Sequence, residues 1–362
     1  MSSSSALSRP AGLVFLLAVV AAGLVCSPGI LKAQPVAMTA GHTLATDHPY
    51  HLGLVYFGEL LKERTNGEVT LEVYHSSQLG SERDLIEGLQ MGSVSMAAVT
   101  TASLSAFTNE FLVYDLPFLF PDTETARRVL DGELGAGSLR SLEAIDIVGL
   151  TYFENGFRHL TNSARPVVEP GDARGLKIRT MQNEIHMAAF QAVGAVPAQL
   201  SFGELFSALQ QGLMDGQENP VPIIYTSKFY QVQKYCSLTG HFYSPTPVLI
   251  RRQIWDAFSD ERKAIVRQAA SEARDYQRKL NDEQNAQSID KLKEEGMEVV
   301  EVDKAVWLAA MQPVYDQFAD KIGPEVIRRV QEEILNPSEP SDVPPAGAPE
   351  AETPAGDDPA AP

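Results

Sequence analysis

The sequence predicts an α/β protein of two lobes, and three observations carry that expectation. From about residue 40 onward, strand and helix patterns alternate in the order that parallel sheets require. With both ends set aside, the body of about 300 residues exceeds the usual size of a single core. Ser259, Asp260 and Glu261 open a helical pattern longer than any one small lobe needs.

The elements follow in chain order. Thr46 or Asp47, followed by Pro49, caps a helix with apolar positions at Leu52, Val55 and Leu60, and Gly67 ends it. Residues 69–74 alternate as a strand. Ser81 with Asp84 opens a second helix that Gly92 closes, and residues 94–99 read as the next strand. In such a unit ligands sit outside the carboxyl ends of the strands, so the loops after Tyr74 and Val99 are expected walls of a site. Gly132, Gly135 and Gly137 have the wrong spacing for a dinucleotide turn and read as a loop.

A second pass begins near Gly149. Residues 150–153 and 176–179 are short strands, residues 182–193 fit a helix, and Ser201 with Glu204 opens another that runs to about Gln211. Arg179 then stands at a strand end and Asn219 in a turn beyond a helix. Ile265, Ala269, Ala273, Tyr276 and Leu280 mark one face of the long helix, with Ile289 and Leu292 further along. Unbroken to Glu295, it spans on the order of 50 Å. Residues 297–302 are strand-like, followed by apolar helices through Trp307 and over residues 326–335. Lobe I is expected over residues 34–155 plus 245–284, and lobe II over residues 156–244 plus 285–335.

Residues 11–26 are apolar after the single basic residue Arg9, and small and polar residues follow, which is the layout of a cleavable signal peptide over residues 1–33. The stretch is too short and too lightly flanked for a membrane span. Cleavage after Ala33 or Ala37 removes Cys26 and leaves Cys236 alone, which excludes an intramolecular disulfide. Val25 before Cys26 argues against lipid attachment, so a soluble periplasmic protein is expected; anchoring through an uncleaved leader is the alternative. Residues 336–362 carry Pro, Ala, Gly and six acidic residues with no basic one, the composition of a disordered tail. A net charge of −18 without any basic, aromatic-interleaved stripe excludes a nucleic-acid role.

The sequence holds no Gly-x-Ser-x-Gly elbow, no His-Glu-x-x-His, no Cys-x-x-Cys and no Walker-type loop. An exported hydrolase remains the rival reading, because catalytic groups converge in space and need not be near in sequence. His48 and His51 lack carboxylate partners at suitable spacing, so neither a metal nor a cofactor is expected. Arg179 is the leading candidate site residue, since a planar guanidinium offers two parallel donors that match a carboxylate. The competing reading pairs it with a buried acid at the lobe seam.

Gly175-Leu176-Lys177-Ile178-Arg179-Thr180, Ser201-Phe202-Gly203-Glu204-Leu205-Phe206 and, most specifically, Asp215-Gly216-Gln217-Glu218-Asn219-Pro220 with Lys228-Phe229-Tyr230-Gln231-Val232-Gln233-Lys234 resemble one family. It is the DctP family, the solute-binding subunits of tripartite ATP-independent periplasmic (TRAP) transporters, and the resemblance covers roughly residues 40–335. It implies a two-lobed periplasmic binding protein fold with a hinge and a long helix across both lobes. It also implies that Arg179 clamps a substrate carboxylate and that Arg158, in Asn155-Gly156-Phe157-Arg158-His159, contacts the ligand at the lobe boundary; a hinge salt bridge is the competing reading for Arg158. Asn219 is expected to bond substrate oxygens while Asp215 and Glu218 fix the backbone, and Phe202 to pack on the carbon face.

His42 aligns with a ligand-contacting position of sialic-acid-binding members. Thr100 stands where those members carry a glutamate, a departure that argues against sialic acid. Asn183 and His186 are expected to direct hydrogen bonds at the ligand, and Tyr225 and Tyr243 are further cleft candidates. The implied ligand is a small organic acid, either a C4-dicarboxylate or a sugar acid. His42, Asn183, His186 and Asn219 tilt the expectation toward a hydroxylated one. The resemblance implies delivery to TRAP integral membrane subunits by a monomer; a ligand sensor of the same fold is the other possibility.

Overall fold

A computed structural model describes residues 35–336. The expected signal peptide and, from residue 337, the expected tail lie outside the described residues. The strands are β1 (Val36–Gly41), β2 (Val69–Tyr74), β3 (Met96–Ala98), β4 (Ile147–Asn162), β5 (Lys177–Thr180), β6 (Val196–Gln199), β7 (Gly216–Pro220), β8 (Tyr235–Arg251) and β9 (Glu298–Val300). The helices are α1 (Pro49–Arg64), α2 (Glu82–Met91), α3 (Thr101–Leu104), α4 (Thr123–Asp131), α5 (Glu133–Ser141), α6 (Glu184–Ala192), α7 (Phe202–Gln210), α8 (Val221–Thr226), α9 (Arg252–Asp256), α10 (Asp260–Glu294), α11 (Lys304–Met311), α12 (Pro313–Ile322) and α13 (Pro324–Leu335).

All nine strands join one sheet in the order β2-β1-β3-β8-β4-β7-β5-β6, with β9 beside β8. β1 runs parallel to β2 and β3, and β5 runs parallel to β6 and β7. These two parallel sets are bridged by the long antiparallel pair β4 and β8. Each face of the sheet carries one core that extends over both sets. Phe111, Phe190 and Trp307 anchor the first, and Phe57, Phe153 and Trp255 the second. Helices on both faces are what a largely parallel sheet needs, because its apolar strands must be covered twice.

Local chemistry explains most element boundaries. Ser81 and Asp84 form a capping box on α2, and Gly92 ends it in the left-handed region at φ 90°. The cap of α1 is His48, whose Nδ1 accepts from Tyr50 N at 3.2 Å, and not Thr46 or Asp47. α6 starts at Glu184 because Asn183 caps it, so Asn183 precedes the helix and Arg179 lies outside it on β5. Ser201 bonds the Glu204 carboxylate and caps no backbone group of α7.

Two further expectations are corrected. The glycine-rich stretch at 132–137 is no loop: residues from Glu133 form α5, and a Cβ on Gly135 would sit 1.9 Å from the Leu130 carbonyl oxygen. The glycine permits close packing of α5 on α4. Asn219 is not in a turn either. It lies in β7, opposite His159 of β4.

The two parallel sets meet where β4 and β8 cross from one to the other. There the ladder is interrupted between Glu154 and Gly156, and Gly156, at φ 98°, pairs with Ser244. The boundaries expected at 155/156 and 244/245 fall opposite each other at this point. The 35-residue α10 covers the crossing, packing on α1 near one set, on β4 and on α8 near the other. At about 1.5 Å per residue it is roughly 50 Å long. Gln277 of α10 accepts from Glu154 N at 2.8 Å and donates to Glu154 O at 2.7 Å, replacing the ladder bonds the irregularity removes. Gly53 of α1 lets this helix approach, since a Cβ there would lie 2.9 Å from both Gln277 and Phe153.

Candidate functional site

Strand ends and helix starts from both parallel sets face one another across the crossing and enclose about 490 Å³ of atom-free space, part of it open to solvent. The loop after β1 contributes Thr43 and Leu44, α1 contributes Tyr50, and the start of α2 contributes Ser81 and Glu82. Thr100 and Ser103 come from the segment after β3. From the other side come Asn155 and Arg158 of β4, Arg179 of β5 and Asn219 of β7, with Met181, Gln182 and Phe202.

The two arginines differ in their partners. Arg158 is 1% exposed and is bonded through Nε and Nη2, while its Nη1 has no partner among the described residues. It donates through Nε and Nη2 to the Glu218 carboxylate, through Nη2 to Glu218 O at 2.6 Å, and through Nη2 to Asn219 Oδ1 at 3.1 Å. Burial alone pushes the Glu218 carboxyl up. The Arg158 charge and the hydrogen bonds from His241 and Arg158 outweigh burial and hold Glu218 well below the ordinary carboxylate range.

Arg179 is 3% exposed, yet among the described residues only its Nε is bonded, to Leu200 O at 2.9 Å. Arg179 lines the cavity, and its two terminal nitrogens have no partner among the described residues. Burial lowers its pKa to about 10, with the Glu218 charge opposing that shift and Arg158 reinforcing it, so the group stays cationic at neutral pH. Holding it there costs about 3 kcal/mol relative to water.

Opposite the arginines stands Glu82, the first residue of α2. Its Oε2 accepts from Thr100 Oγ1 at 2.6 Å, Thr100 N at 3.2 Å and Ser103 Oγ at 2.6 Å. Among the described residues its Oε1 has no partner. The helix N-terminus favours the anion. Asn155, 3% exposed, has a buried Oδ1 that likewise lacks a partner. Phe202 supplies an apolar wall and packs edge-on to Phe229 at 6.0 Å.

Of the residues singled out from sequence, Arg179, Arg158, Asn219, Phe202 and Thr100 come together at this cavity. His42, Asn183 and His186 do not. His42 bonds His51 at 3.2 Å and accepts from Leu44 N, while its chain neighbours Thr43 and Leu44 reach the cavity instead. Burial, with His51 and His75 nearby, drives the His42 pKa down to about 3. Asn183 caps α6 and donates to Asp115 Oδ2 at 2.8 Å, and His186 stacks on Phe242 at 4.0 Å. Both belong to the packing behind the sheet.

Tyr225 stacks on Tyr230, and Tyr243 donates to Glu154 at 2.9 Å, so neither lines the cavity. Sequence reasoning missed Tyr50, Glu82, Ser103 and Asn155. The loop rule after Tyr74 and Val99, combined with the Ser81 cap, was the available signal for Glu82 and Ser103. Among the described residues no group of three or more side chains is arranged to hold a metal. No described helix is long and apolar enough to cross a membrane.

Comparison with known proteins agrees with this architecture. The family model described as "Bacterial extracellular solute-binding protein, family 7" matches residues 40–321. The C4-dicarboxylate-binding periplasmic protein DctP of Rhodobacter capsulatus is 34% identical over 83% of this chain and 91% of its own length. The 2,3-diketo-L-gulonate-binding periplasmic protein YiaO of Escherichia coli is 36% identical over 84% and 94%. The crystal structure of a TRAP periplasmic solute-binding protein from Polaromonas sp. JS666, bound to D-erythronate, superposes with a TM-score of 0.80 at 42% identity, covering 82% of this chain and 98% of that one. The two-lobed fold, the sheet crossing and the matched region agree: this chain belongs to the DctP family of extracellular solute-binding proteins that serve TRAP transporters.

Proposed function

We propose that this protein captures a small organic acid outside the cytoplasm and presents it to TRAP membrane subunits. Arg179 clamps the ligand's carboxylate. The observation that carries this reading is Arg179, buried, cationic and lining the cavity, with no acceptor for either terminal nitrogen among the described residues. A buried cation left unpaired is costly, and a carboxylate offering two parallel acceptors is the partner that relieves the cost.

Arg158 acts one step back. It holds Asn219 through its Oδ1 and is neutralised by Glu218, so the salt-bridge reading of this residue is favoured over direct ligand contact. Phe202 covers the carbon face. Closure of the two lobes about the β4 and β8 crossing shuts out water and strengthens the ion pair, and the ligand favours closure only by its differential affinity for that form. The closed shape is what membrane subunits receive. A signal peptide over residues 1–33 and a periplasmic location complete the reading, as does a monomeric state.

The test is a thermal-shift screen of residues 34–335 against dicarboxylates, aldonates, uronates, keto acids and neutral sugars. At 100 times its dissociation constant a ligand adds about 2.7 kcal/mol of stability. An acid should stabilise the wild type and fail with Arg179→Ala, whose affinity falls about 100-fold or more. Arg179→Lys should recover little, because a point charge lacks the fork. A response only to neutral compounds, or equal acid binding by Arg179→Ala, overturns the proposal.

A further inference from the structure

Besides Arg179, the cavity presents an open carboxylate oxygen. Glu82 is fixed from behind by three donors on Oε2, which leaves Oε1 as an oriented acceptor, and Asn155 adds a buried Oδ1 without a partner. Neither is satisfied by the protein, and an acceptor is satisfied only by a donor.

From this arrangement we infer that Glu82 is the specificity-determining residue of the site, selecting monocarboxylates that carry hydroxyl groups and rejecting dicarboxylates. The inference rests on Arg179 as the carboxylate site. The charge count supports it. Arg158 is cancelled by Glu218, so among the described residues Arg179 and Glu82 are the remaining charges facing the ligand, one of each sign. A monocarboxylate hydroxy acid places its anion on Arg179 and its hydroxyl donors on Glu82 and Asn155. A dicarboxylate brings a second anion toward the Glu82 carboxylate, an unfavourable contact because Arg158 is already paired with Glu218. This is discrimination by repulsion as well as by attraction.

The same acceptors distinguish hydroxylated from plain acids. Butyrate satisfies Arg179 but covers Glu82 Oε1 and leaves Asn155 Oδ1 unpaired, with no donor for either. A site built to pair a hydroxyl rejects the analogue that lacks it. Of His42, Asn183, His186 and Asn219, on which the sequence-based expectation of a hydroxylated acid rests, only Asn219 lines the cavity, and Glu82 and Asn155 are the acceptors that the inference adds.

The experiment is calorimetric titration of D-erythronate, D-galactonate, succinate and butyrate into the wild type, Glu82→Gln and Arg179→Ala, with the melting of each variant checked first. The expected result is that at least one hydroxy acid binds the wild type ten times or more tighter than succinate and butyrate. Glu82→Gln should narrow the gap to succinate at least tenfold, by weakening the hydroxy acid and admitting the dicarboxylate. Succinate binding as tightly as the hydroxy acids in the wild type overturns the inference while leaving carboxylate capture intact, and needs no variant to fold. An unchanged ratio in folded Glu82→Gln overturns the role of Glu82. No binding by any acid, or undiminished binding by Arg179→Ala, overturns carboxylate capture and this inference with it.

Discussion

Glu154 and Glu82 are both carboxylates near the cleft, and they differ in what they are bonded to. Glu154, on β4 at the crossing, is 2% exposed with both oxygens saturated: Oε1 accepts from Arg127 and Asn281, and Oε2 from Arg127 and Tyr243. Gln277 satisfies its backbone on both sides. Glu82 has one oxygen filled and one open. The arginines differ in the same sense, with the Arg158 charge paired to the Glu218 carboxylate and Arg179 left with two open nitrogens and no acid partner. Residue type does not separate Glu154 from Glu82; bonding capacity left open at a residue that lines the cavity does. A saturated buried network fixes the chain, and a half-saturated one is costly unless a ligand completes it.

This contrast can be broken by experiment. Glu218→Ala should have the largest effect, about 3–5 kcal/mol of lost stability by urea unfolding, because it leaves the Arg158 cation buried and unpaired. An undiminished midpoint would mean that Arg158 does not depend on Glu218 and offers its charge to the ligand.

Acid should act next. Burial lowers the pKa of His42 to about 3, and those of His48 and His241 are lowered mainly by burial as well, so each is neutral in the fold. Below their ordinary value of 6.5 the unfolded chain binds protons that the folded chain refuses, and stability falls as pH falls. His42 alone should remove on the order of 3 kcal/mol by pH 4.5. Glu218, whose folded pKa is depressed, adds a further loss only below about 4.5. Melting midpoints should be level above pH 7 and decline from about 6.5 downward; a level profile to pH 4.5 would show these histidines to be solvated.

A smaller loss, about 2 kcal/mol, is expected for Glu154→Gln, which keeps the shape and sets an amide donor against Arg127 and Asn281. Acid affinity should change far less than for Arg179→Ala, and calorimetry on the folded variant separates the two effects.

Much of this was legible in the sequence because its signals were local. Ser81, Asp84 and Gly92 bound α2 as their capping chemistry dictates, residues 69–74 form β2, and Ser259 opens α10. Asn219 failed as a turn because its strand is made by pairing with β4, far away in sequence. Gly135 failed as a loop signal because a tertiary approach, to Leu130 O, is what requires it. At the site, Arg179 was readable from its chemistry and its strand end. His42 missed the cavity by one residue: beyond the end of β1 its ring bonds His51 and Leu44 N, while Thr43 and Leu44 reach the cavity. Asn155 and Glu82 carry no local mark of function; what distinguishes them is a missing partner, visible only in three dimensions.

The central claim is that the Arg179 charge serves the ligand and not the fold. It is tested most directly by urea unfolding of Arg179→Met, with and without the acid that most stabilises the wild type. Removing a buried cation whose pKa is already lowered to about 10 should leave the ligand-free protein as stable as the wild type or more so, and should abolish the stabilisation by the acid. A loss of several kcal/mol without ligand, together with a retained response to the acid, would contradict it and make Arg179 a structural residue.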